Sequence, residues 1–96
     1  MKNILKDLNK AFENKTRLGI MSALVVNDRM DFNSLKNLLG VTDGNLASHL
    51  RYLEKTDYIK MRKEFLNRKP NTSYEATTAG IIAFKRHIKA IENLLK

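Results

Sequence analysis

Apolar residues recur along most of this chain at the three- and four-residue spacing of an α-helix. In residues 4–12, Ile4, Leu5, Leu8 and Phe12 predict a short amphipathic helix. A second helix begins near Lys15-Thr16 and carries Leu18, Met21, Leu24 and Val25 on one face, with Asn27-Asp28 signalling its stop. Asp31-Phe32-Asn33 reads as a short extended link. Phe32 is placed to plug the core, and Asn33 or Ser34 to cap the next helix. That third helix, residues 34–39, should end at Gly40, which adopts a left-handed backbone without steric penalty. Val41 then turns inward and Thr42 caps a fourth helix. The sequence therefore predicts helix, tight turn, helix, with glycine in the turn.

The fourth helix has two unlike faces. Leu46, Leu50 and Leu53 fall on one side. Gly44, Ser48, Arg51 and Lys55 fall on the other, with Asn45 and Tyr52 at its edge. Beyond it the period changes from helix to strand. Ile59, Met61 and Phe65 alternate with Lys60, Arg62 and Glu64, and Lys63 interrupts the apolar set. Residues 66–71 read as a basic loop by composition, and residues 72–76 as a second strand. Pro70 cannot donate a ladder hydrogen bond, so it belongs at the hairpin tip or at an edge. Thr77 or Thr78 caps a last helix over residues 79–96, where Ile81, Phe84, Ile88, Ile91 and Leu95 form a stripe that Ile82 and Leu94 widen. One short helix of the same chain cannot cover so long a stripe.

With 96 residues, the chain is expected to form one domain, residues 1–96, around one core. A net charge of +8 at this size favours a polyanionic partner, nucleic acid before an anionic membrane surface. The absence of cysteine excludes disulfides, thiolate metal sites and thiol redox sensing, and fits a cytoplasmic protein. Charges interrupt the apolar residues near the N-terminus too often for a signal peptide, and no apolar run approaches the length of a bilayer span. His49 lies at the border of core and surface and reads as structural. His87 lacks a second ligand at metal spacing, so no metal site is expected; a dimer contact is its other reading. No phosphate-binding glycine loop, activated nucleophile or paired carboxylate is present, so neither an enzyme nor a cofactor is expected.

Several local motifs resemble those of small bacterial and archaeal transcriptional regulators related to the MarR and ArsR families. Arg17-Leu18-Gly19-Ile20-Met21 resembles their second-helix opening, and Asp31-Phe32-Asn33-Ser34-Leu35 the link into the third helix. Leu39 through Leu50 resembles their turn and recognition helix. Lys63-Glu64-Phe65 with Arg68 through Tyr74 resembles their wing, and Thr77-Thr78-Ala79-Gly80 the start of their last helix. Asp57 stands where the family often has glycine before the wing. The resemblance implies a mainly α fold with a small β-hairpin: a winged helix-turn-helix of about five helices with a two- to three-stranded wing sheet.

The resemblance also implies a sequence-specific regulator that binds double-stranded DNA as a homodimer. Repression by blocking a promoter is the simpler expectation, and no effector ligand can be named. Asn45 and Ser48 suit base edges. Thr42 and Asp43 open the helix at an anion-favouring N-terminus, where Asp43 itself is expected to cap the helix or face a base amine. Gly44 costs about 1 kcal/mol inside a helix and so marks a close backbone approach. Arg51 and Lys55 suit phosphates, Tyr52 a sugar or the core, Arg62 the backbone, and Arg68 and Lys69 the neighbouring groove. The dimer would bury Ile4, Leu5, Leu8, Ile88, Ile91, Leu94 and Leu95. The alternative is a winged-helix module for protein interaction or assembly, without sequence-specific DNA binding.

Overall fold

The computed structural model describes residues 3–96. After a 3₁₀ turn (Lys10–Phe12), the element order is α1 (Lys15–Val26), β1 (Met30–Asp31), α2 (Phe32–Leu39), α3 (Asp43–Lys55), β2 (Ile59–Leu66), β3 (Lys69–Ala76) and α4 (Thr78–Leu94). The sheet is antiparallel in the order β1-β3-β2. The described residues thus form four α-helices, against about five expected from the sequence, and a three-stranded sheet.

The missing helix is the first. Residues 4–7 form isolated turns, and only Lys10–Phe12 closes a single 3₁₀ turn. Asn9 explains the break. Its side-chain carbonyl accepts from the Ala11 N–H, while its own N–H donates to His87 Nδ1 at 2.9 Å. Asparagine thus diverts backbone groups that a continuous helix would need. His87 is correspondingly a core residue of its own chain, 3% exposed and packed edge-on against Phe12, rather than a dimer contact.

The other helix starts are set by side-chain caps. Asn14 accepts from the N–H groups of Thr16 and Arg17. Asp31, not Asn33 or Ser34, caps α2 by accepting from Ser34. It lies one residue outside the helix with extended backbone, where a carboxylate can fold back onto the first turn. Gly40 closes α2 in the left-handed region at φ 64°, as its position predicts. Thr42 caps α3 and Thr77 caps α4.

The hairpin is longer and tighter than its composition suggests. The ladder runs from Ile59↔Ala76 to Leu66↔Lys69, leaving a two-residue turn at Asn67-Arg68, both with positive φ. That is the backbone of a type I′ turn, whose twist matches the strands. Pro70 lies in β3 opposite Phe65, beyond the stretch that pairs with β1. Residues flanking a two-residue turn exchange both bonds, so the next pair lacks ladder bonds and tolerates proline. At the base of the hairpin Asp57 takes φ 65°, a conformation that short polar side chains tolerate better than most.

Phe12, Ile20, Met21, Leu35, Leu46, Leu50, Leu53 and Ile59 are essentially fully buried. On α4 the buried residues are Gly80, Phe84, His87 and Ala90. The rest of the apolar stripe is only partly covered by the chain itself. Ile88 still packs against the core, but Ile82, Ile91, Leu94 and Leu95 are exposed. Gly80 and Ala90 line the contact beside Phe84 and His87, and at Gly80 the helix comes close to the Tyr58 backbone.

Burial pushes the His87 imidazole below its usual range, and the Glu13 carboxylate partly offsets this. A neutral Nδ1 accepts from Asn9; a protonated one cannot. The folded state thus binds fewer protons here than the unfolded state. This stabilisation is complete above the ordinary histidine pKa of about 6.5 and is lost as pH falls through the lower folded value. His87→Gln, which keeps an acceptor, is expected to flatten the fall in urea midpoint below about pH 6.5; an unchanged slope would remove His87 as its source.

Candidate nucleic-acid interface

Helix α3 lies with Leu46, Leu50 and Leu53 in the core and the opposite face in solvent. Gly44, Ser48, Arg51 and Lys55 are all exposed on that face, within about one-fifth of a helical turn of one another. A Cβ built on Gly44 meets no atom within 4 Å. No neighbouring helix therefore requires a glycine there, and its open side faces solvent.

The flank of α3 carrying Asn45, His49 and Tyr52 docks on the start of α1. The Thr16 hydroxyl donates to Asn45 Oδ1 at 3.0 Å. Arg17 donates through Nε to the Ala11 carbonyl at 2.6 Å, and its Nη1 lies 3.0 Å from His49 Nδ1. The Arg17 guanidinium carbon sits 3.9 Å from the centroid of the Tyr52 ring, a cation–π contact. Burial and the Arg17 charge both hold His49 below its usual pKa, so Nδ1 is available to accept. Arg17 clamps the 3₁₀ turn, α1 and α3 together and covers one face of Tyr52. Periodicity could not reveal Thr16 and Arg17 in these roles, because each acts through a partner about thirty residues away.

At the N-terminus of α3, Thr42 accepts from the Asn45 N–H at 3.1 Å. Asp43 is therefore not the cap. It pairs instead with Lys36 Nζ at 2.8 Å, which offsets its charge where an incoming phosphate would meet it.

Basic residues on the hairpin divide into two sets. Near its base, Glu75 gathers Lys60 at 3.1 Å, Arg62 at 3.4 Å and Arg29 at 3.9 Å, and Arg29 also reaches Glu64 at 2.8 Å. The hydrogen bond from Lys60, helped by Arg62, holds the Glu75 carboxyl below its usual range against a smaller opposing effect of burial. Arg62 is thus already engaged within the chain. Lys63, Arg68 and Lys69, with Arg51 and Lys55 on α3, make no ion pair among the described residues. Arg68 occupies the tip with φ 65°, where glycine is the usual choice. Among the described residues no cluster of histidine and carboxylate side chains could hold a metal ion, and no helix is long and apolar enough to cross a membrane.

A polar helix face beside a basic antiparallel hairpin defines a class of DNA-binding domain. Residues 16–95 match the winged helix DNA-binding domain family. The chain belongs to that family. Over 87 residues it is 34% identical to an uncharacterised protein of Methanocaldococcus jannaschii, covering 91% of this chain and 95% of that one. The structure of a transcriptional regulator homologue from Pyrococcus horikoshii superimposes with a TM-score of 0.86 at 33% identity, covering 96% of this chain and 89% of that one. A MarR-family transcriptional regulator from Silicibacter pomeroyi shares the fold, with a TM-score of 0.70 at 16% identity over 95% of this chain and 60% of its own.

Proposed function

We propose that this protein is a sequence-specific regulator of transcription that binds double-stranded DNA as a homodimer. Helix α3 enters the major groove. Thr42, Gly44, Asn45 and Ser48 approach the bases, with Asp43 at the entry. Arg51 and Lys55 meet phosphates, and Tyr52 offers its uncovered edge to the sugar-phosphate backbone. Arg68 and Lys69 touch the flanking minor groove or backbone, with Arg62 in a lesser role because Glu75 holds it. The observation that carries the reading is the outward face of α3, which has an unobstructed glycine and two cations without carboxylate partners among the described residues. Repression by occupying a promoter follows as the simplest mode of action. The whole chain acts as one DNA-binding unit in the cytoplasm.

The dimer is supported by apolar surface that the chain leaves open. Ile4 is 57% exposed, Leu5 60% and Leu95 84%, and they lie with Ile91 and Leu94 along the N-terminal segment and α4. Leu8 and Ile88 are half-buried and contribute less. The chain alone is expected to sediment at twice its monomer mass at micromolar concentration. Ile91→Asp with Leu95→Asp, both at exposed positions, should give a folded monomer with much weaker DNA binding. A wild-type monomer, alone and on DNA, would remove the two-fold arrangement.

A further inference from the structure

We infer that Thr16 is a positioning residue that fixes which end of Asn45 faces the DNA, so that Asn45 presents its amide hydrogens and selects a base carrying an acceptor. The inference rests on the reading of α3 as the helix in the major groove. Thr16 is only 6% exposed although polar, and its backbone N–H is already satisfied by the Asn14 cap. Its hydroxyl is therefore not needed to finish α1, and it donates to Asn45 Oδ1 at 3.0 Å. The backbone of Asn45 is held separately, through its N–H on Thr42 Oγ1. The distance between the two helices is maintained by the Arg17 contacts with His49 and Tyr52, so the Thr16–Asn45 bond joins rigid elements. The Asn45 side chain is otherwise exposed, and its Nδ2 has no partner among the described residues.

An unrestrained asparagine grips adenine with both ends, Oδ1 accepting from N6 and Nδ2 donating to N7. Here Oδ1 is turned back toward α1. The group left for DNA is a donor, which suits guanine N7 and O6 or thymine O4. It can still donate to adenine N7, but the neighbouring N6 amine is then left without the Oδ1 acceptor, and cytosine offers only a donor, so both are disfavoured relative to guanine and thymine. Specificity at this position is then set by a buried hydroxyl that never touches the duplex.

The test is selection from a randomised duplex library by the full chain, with sequencing, for the wild type and four variants. The wild type should enrich guanine or thymine at one position in each half-site. Asn45→Ala should lose that preference alone. Thr16→Ser, which keeps the hydroxyl, should retain the wild-type motif. Thr16→Val, close in shape but unable to donate, should raise adenine there on the order of tenfold as Asn45 becomes free to turn. Asn45→Asp, at an exposed site, should shift preference to bases bearing an amine and gives a readout independent of the folding of Thr16→Val. Identical motifs for wild type and Thr16→Val would overturn the inference while leaving α3 as the reading helix. Adenine enriched by the wild type at that position would do the same. A wild type that enriches no motif would defeat the sequence-specific reading itself, and the inference with it.

Discussion

Gly80→Ala is expected to cost about 3 kcal/mol of folding stability, a large part of the total for so small a protein. A methyl group there would run into the backbone carbonyl of Tyr58. The carbonyl cannot retreat, because it accepts from the Thr77 N–H at 3.0 Å, while the Tyr58 N–H donates to Leu53. The same contact fixes the base of the hairpin against α4, so any accommodation moves both. Gly44→Ala should do the opposite. It meets no atom within 4 Å and gains up to about 1 kcal/mol of helix propensity. If the glycine serves DNA approach, this more stable variant should bind DNA less well. Urea denaturation and binding titrations on the two variants test both statements. Equal stability losses, or Gly44→Ala binding as tightly as the wild type, would contradict them.

Arg68→Gly combined with Lys69→Ala should weaken binding to every duplex, on the order of a hundredfold at near-physiological salt, without loss of folding. The turn itself should gain stability, because glycine relieves a left-handed conformation that costs other residues about 1–2 kcal/mol. A charged residue kept in that conformation at the hairpin tip is a local departure from turn preference, of the kind expected at a functional position. A dimer losing two phosphate contacts per protomer should show a log–log salt dependence shallower by roughly three to four. Binding curves at several salt concentrations measure this. An unchanged slope would mean that the wing tip does not touch the phosphates.

Much of the fold was legible because its determinants are local. Thr42, Gly40 and Thr77 mark helix ends through groups within a few residues of themselves, and the apolar period of α3 gives its buried side directly. The failures have long-range causes. Asn9 breaks the predicted first helix because its N–H is drawn to His87, 78 residues away. The buried side of α4 is lined by Gly80 and Ala90 as well as Phe84 and His87, and the close approach of Gly80 to the Tyr58 backbone is a contact that side-chain hydrophobicity does not signal. The two-residue hairpin turn is hidden in the sequence because Asn67-Arg68 lacks the usual glycine and Pro70 suggests a loop, although Pro70 sits where no ladder bond is lost. On the candidate interface, exposure of the α3 face followed from periodicity. The Lys36 partner of Asp43, the Glu75 partner of Arg62 and the Thr16 partner of Asn45 did not, since each pairing is made by the tertiary fold.

The most direct test of the central claim is selection by the wild-type chain from a randomised duplex library at near-physiological salt. The account predicts enrichment of a two-fold symmetric sequence whose half-site centres lie about one helical turn apart, roughly 34 Å, or a multiple of it. A pool that stays unenriched while binding remains salt-sensitive would contradict it, leaving a basic protein that coats DNA without reading it.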